Sequence, residues 1–249
     1  MFFGSLDSAA STGRAVKRWG AIGLLAAGTA WLAGCAVQAP GRLRYRMTVE
    51  VETPEGVKSG SSVIESTITK GMRFGDSSGI SYAVKGEAVT VDLGGGQMLF
   101  ALLSGLDMEP AEFHARLFHN ALKRGAAATP PLPRKYKAFE WREERQAARN
   151  IKPTVILQPS DYPKVVRFRN PRDFRTVEIV NESDDVASNQ VNLQIKRIII
   201  AVTDDDVTYG NLRQLPDFSA ATGYGEWIRS LAYGDPRRIG PEDFRGYNK

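Results

Sequence analysis

Residues 42–53 read RLRYRMTVEVET, and the alternation is strict: Leu43, Tyr45, Met47, Val49 and Val51 fall on one side, with Arg44, Arg46, Thr48, Glu50 and Glu52 on the other. Side chains of a strand point alternately to opposite faces, so this pattern predicts a long strand with one face buried and one in water. Thr53-Pro54-Glu55-Gly56 supplies a turn, and Ser62–Thr69 a second strand. Beyond a loop holding Gly71, Gly75 and Gly79 come strand candidates Ile80–Lys85 and Ala88–Leu93, then Gly94-Gly95-Gly96 as a tight connection into Gln97–Leu103. Residues 42–103 are thus expected to form an antiparallel meander of about five strands.

The period changes at Leu106–Arg124. Phe113, Leu117, Phe118, Ala121 and Leu122 recur at helical spacing, with Asp107 available as a cap, Pro110 suited to the first turn, and Lys123 and Arg124 in the last. An amphipathic helix over 107–124 follows. Residues 126–133, AAATPPLP, make a stiff connector, and the charged stretch Tyr136–Asn150 fits helix or loop. Strands resume at Thr154–Leu157, Val165–Arg169, Thr176–Val180 and Val191–Thr203. In the last, the three consecutive isoleucines 198–200 require either full burial or a bulge that shifts the phase. From Tyr209 onward glycine, proline and aromatics predict irregular structure. The fold class expected is α+β, mainly an antiparallel meander or sandwich with one helix packed on it. The expected division is a β-rich domain over 42–215 and an irregular segment over 216–249 packed on it.

Ahead of the first strand lies a different signal. Arg14, Lys17 and Arg18 precede thirteen uncharged residues, Gly20–Leu32, and then Leu32-Ala33-Gly34-Cys35. As a helix those thirteen residues span about 20 Å, short of a ~30 Å hydrocarbon core, so they suit a secretory signal better than a transmembrane anchor. The four residues ending at Cys35 resemble the lipobox of bacterial lipoproteins at every position. The resemblance implies a signal peptide over 1–34, a diacylglyceryl thioether on the Cys35 thiol, cleavage before it, and a lipidated tether over 35–41. Ala36, where a retention signal would place aspartate, implies the periplasmic face of the outer membrane. The chain holds one cysteine, so no disulfide within it is available. Removal of residues 1–34 leaves 30 basic against 27 acidic residues, too even a balance to mark a nucleic-acid-binding face.

Several stretches tempt a catalytic or ligand reading. Val91–Gly96, VDLGGG, resembles the first phosphate loop of the actin-like ATPases and sugar kinases, but Gln97 stands where those families carry a hydroxyl; a hairpin turn is the better account. Gly75–Gly79, GDSSG, resembles the nucleophile segment of chymotrypsin-type proteases. The two histidines, His114 and His119, both follow Ser77 and Ser78, the reverse of that family's order. His114 and His119 are five apart, about 140° around a helix, and do not share a metal-binding face. Asp184-Asp185 and Asp204-Asp205-Asp206 lack the glycine and glutamate of a calcium loop. Residues 225–238, GEWIRSLAYGDPRR, pair aromatics with arginines in a manner that suits partner contact.

The segments 44–65, 84–103, 165–180 and 195–208 together resemble a family of proteobacterial proteins that carries no assigned activity and hence no catalytic residues to transfer. The function expected is a lipid-anchored envelope protein, non-enzymatic, serving as a binding or structural module. Its partners would be the membrane, through the lipid, and an envelope protein, without nucleic acid, metal or cofactor. The alternatives are an envelope hydrolase with an unrecognised site, or a cytosolic protein with a misassigned start. The leader before Val16 is long and partly acidic, unusual for a signal peptide, and translation beginning at Val16 rather than Met1 accounts for it. Mapping the precursor in cells with signal processing blocked is expected to find no peptide from residues 5–14; recovery of one refutes the later start.

Overall fold

The structure, a computed structural model, describes residues 40–71, 75, 79–132, 141–180, 193–212 and 215–246. Its centre is β1, Gly41–Thr53, flanked by β2, Gly56–Lys70, and β10, Gln194–Val202, both antiparallel to it. The other strands are β3 (Ile80–Glu87), β4 (Val89–Gly94), β5 (Gln97–Ala101), β6 (Ala128–Thr129), β7 (Thr154–Ile156), β8 (Val165–Phe168), β9 (Val177–Ile179) and β11 (Arg245–Gly246). Seven strands form one sheet in the order β11-β3-β2-β1-β10-β7-β6, and four form a second, β4-β5-β8-β9. The helices are α1, Pro110–Lys123; α2, Trp141–Ile151; α3, Tyr224–Ser230; and α4, Pro241–Phe244. The fold is α+β, dominated by antiparallel sheet.

Why β1 lies at the centre follows from its alternation. Leu43, Tyr45, Met47, Val49 and Val51 have no solvent exposure. At about 1.5–3 kcal/mol for each fully buried large apolar side chain, this one strand is a major source of cohesion. Its buried face meets two things at once: α1, through Phe113, Leu117, Phe118 and Ala121, and the inner face of the four-stranded sheet, through Val89, Val91, Leu99, Ala101 and Val165. The opposite face of that small sheet, carrying Phe100, Val166 and Phe168, is covered by the C-terminal segment through Phe218, Tyr224, Trp227, Ile239 and Phe244. Three layers result, joined by two apolar cores.

The five-strand meander expected over 42–103 is divided. β1, β2 and β3 remain together, but β3 parts from β2 after Lys85; Gly86 (φ 120°) and Glu87 pair with β11, and β4 then begins the second sheet. β10 then takes the place beside β1. The isoleucine run is resolved by a bulge: Arg197 lies opposite Glu50 and Ile195 opposite Val51, leaving Lys196 as the extra residue. Ile198 and Ile200 consequently point into the core while Ile199 points outward. α1 starts later than the sequence suggests. Glu109, not Asp107, is the N-cap residue, because a residue before proline is held in extended backbone and the helix can begin only at Pro110. The charged stretch before Asn150 resolves into α2, and residues 216–249, expected to be irregular, contain α3, α4 and β11.

At Gly60 the two sheets approach closely. A Cβ there would run into the backbone carbonyl of Thr90 on β4, which has no freedom to retreat. Gly60→Ala is expected to destabilise the protein by about 1–3 kcal/mol, as overpacking of a filled core does, read as a lowered denaturation midpoint at unchanged m-value. An unchanged midpoint contradicts this inter-sheet contact.

Candidate functional site

At the far end of β1 from Gly41, the turn after Thr53 faces the β4–β5 connection, the β8–β9 hairpin and the loop Ala232–Arg237 across a cleft of about 1230 Å³. Each wall is placed by local chemistry. Gly94, Gly95 and Gly96 all take positive φ, so the β4–β5 turn is tight, and the Gly94 N–H donates to Asp92 Oδ1 at 2.8 Å. VDLGGG is therefore a hairpin turn in the structure. In the β8–β9 hairpin, Arg167 lies opposite Glu178.

The floor and rim are polar. Glu178 receives Arg167 Nε on Oε2 at 2.7 Å and Arg169 Nε on Oε1 at 2.8 Å, so one carboxylate serves two guanidinium groups. That leaves one positive charge in surplus, on the more exposed Arg169, whose side chain is 72% accessible. Across the cleft Asp235 accepts from Arg237 Nε at 3.0 Å and Nη2 at 2.6 Å. That pairing holds the Asp235 carboxyl below the usual carboxylate range and raises Arg237. Beside them the Tyr233 ring is fully exposed, and Val177, Ile179 and Leu193 add apolar surface. Two of the three acidic residues lining the cleft are tied to arginines lining it, the third, Glu55, pairs with Lys58 at 3.2 Å, and none of the lining residues is histidine. Such a surface presents planar donors and an aromatic face.

Of the stretches singled out in the sequence, parts of Val91–Gly96 and of residues 225–238 line the cleft, and the others lie elsewhere. Leu32, Ala33, Gly34 and Cys35 fall outside the described residues, as do Ser77, Ser78, Asp184 and Asp185. His114 is completely buried; its Nδ1 shares a short hydrogen bond with the Tyr45 hydroxyl, and its Nε2 has no hydrogen-bond partner among the described residues. Burial lowers the His114 pKa to about 3 and raises that of Tyr45. A base that must meet a substrate cannot work from there. His119 is separate, with Nδ1 2.8 Å from Glu144 Oε2. Asp205 is held by Arg46 at 2.8 Å and Asp204 pairs with Lys152; among the described residues no group of three or more potential metal ligands occurs.

Beside the Tyr45–His114 pair lies a buried arginine that sequence reasoning passed over. Arg145 of α2 is 3% exposed and donates to Gly41 O (3.2 Å), Ser66 O and Oγ (3.0 Å each) and Ala115 O (2.7 Å). Burial lowers its pKa to about 10. It joins β1, β2, α1 and α2 at one point, a structural role. The cleft was also missed, although a signal existed: in the hairpin 165–180, strand pairing sets Arg167 and Glu178 across from one another. No family model, curated protein or solved structure matches the chain.

The His114 environment generates a pH dependence. Its folded pKa lies below the ordinary value of 6.5, so the unfolded chain binds the proton more readily and stability falls as pH drops through 6.5 toward 3. Between pH 6.5 and 5.0, above the carboxylate range, the expected loss from this residue is about 1.5 kcal/mol. Denaturation at the two pH values measures it. His114→Gln is expected to remove that part of the loss, and an equal loss in the variant contradicts the assignment.

Proposed function

We propose that this protein is a lipoprotein of the cell envelope, anchored through Cys35, whose β-rich body binds a partner or ligand in the cleft at the far end of β1. The observation that carries the anchoring is the basic flank, short apolar run and four matching residues ending at Cys35. Only residues 36–40 separate Cys35 from β1. β1 then extends about 40 Å over its 13 residues. The cleft at Thr53–Glu55 lies at the end of β1 opposite Gly41. Two or three acyl chains on one residue give durable attachment where one would not. The closed ion pairs of the cleft and the burial of His114 favour a binding module over a hydrolase.

Labelling with radioactive palmitate, followed by fractionation, tests the anchoring. Wild type is expected to be labelled and to sediment with membranes, and Cys35→Ala to lose the label entirely. An unlabelled wild type in the soluble fraction overturns the proposal.

A further inference from the structure

The outward face of β1 reads, in order, Arg44, Arg46, Thr48, Glu50, Glu52: two positive residues, a neutral centre and two negative ones. Thr48 is paired with Ser61 on β2 and Ile199 on β10, and Ile199 with Ile156 on β7. One row across four strands is therefore uncharged, and it ends in an isoleucine left 54% exposed. On either side of this row the signs along β1 are inverted.

We propose that this face is a homodimer interface, formed with a second copy of the chain about a two-fold axis lying along the row Ser61–Thr48–Ile199–Ile156. Rotation about that axis reverses strand direction. It sets Arg46 against the partner's Glu50 and Arg44 against the partner's Glu52, and the same contacts recur by symmetry. Residues on the axis meet their own copies, which only uncharged side chains tolerate without repulsion, and all four in this row are uncharged. Face-to-face packing of sheets at about 10 Å brings the Ile156 and Ile199 side chains out of water. The pairs already present within the chain are extended and not broken. Asp205–Arg46 (2.8 Å) and Glu50–Arg197 (2.8 Å) join into a run Asp205, Arg46, the partner's Glu50, the partner's Arg197, alternating in sign. An anionic bilayer would be repelled by the acidic half of the face, and an unrelated protein gives no reason for inversion about a neutral row.

The test uses the mature chain extracted from membranes in mild detergent. Sedimentation equilibrium is expected to give twice the chain mass. A short bis-maleimide is expected to couple Thr48→Cys into dimers but not Ser59→Cys, which carries the same Cys35. Two residues from the axis, Ser59 lies about 13 Å further along the strand from its own copy. On the Thr48→Cys background, Arg46→Glu and Glu50→Arg are each expected to lower coupling about tenfold. Co-expression of the two is expected to restore it, because the new acid on one chain faces the new base on the other. A single-chain mass for the wild type, equal coupling at Ser59→Cys, or no recovery in the mixed pair overturns the interface.

Discussion

The burial of one face of β1 is the constraint on which the rest of the structure depends. Five consecutive inward side chains, from Leu43 to Val51, are removed from water by three different partners: its sheet neighbours, α1 and the small sheet. A slip of one residue in the pairing of β1 would turn all five into solvent and bring Arg44, Arg46, Glu50 and Glu52 inside, at a cost no local adjustment offsets. The register with β2 is continuous from Gly41 to Thr53, and the one irregularity, at Lys196, falls in β10. Tolerance thus lies in the later strand, while β1 keeps its phase.

The polar groups sealed inside that core are few and specific. Arg145 has no carboxylate among its hydrogen-bond partners; three carbonyl oxygens and a hydroxyl receive it. An ion that deep survives only where its donors are matched, so Arg145 fixes how α2 meets the start of β1. Tyr45 and His114 form a second such point, between the centre of β1 and α1. Glu87, also buried, receives Arg245 Nε at 2.9 Å and the Asn211 N–H at 2.9 Å, and so ties the C-terminal segment to β3. These contacts join elements distant in sequence into one body.

Much of this was legible in the residues. Strict alternation located β1, and helical spacing located α1, because both periods are written by burial on one face. The division into two sheets was not legible: Gly86 looks like any other strand glycine, and only its close approach to Val63 and Ile64 shows why the chain turns there. The insertion of β10 beside β1 is a pairing across about 150 residues, which no local pattern records. The cleft was hidden for a related reason. Its walls come from four separate hairpins and loops, and although residues 225–238 suggested a contact, no local pattern brings the four together. The proposed Cys35 site is the reverse case, resting on spacing alone, because a processing enzyme reads extended sequence and not a fold.

In the proposed arrangement, a lipid on Cys35 and a cleft at the far end of the 13-residue β1 connect fold to function. Intact-mass analysis of the protein isolated from membranes tests its premise most directly. The account predicts a chain beginning at Cys35 whose first residue carries the added mass of a diacylglyceryl group. A chain that retains residues 1–34, or one that begins at an unmodified Cys35, contradicts it.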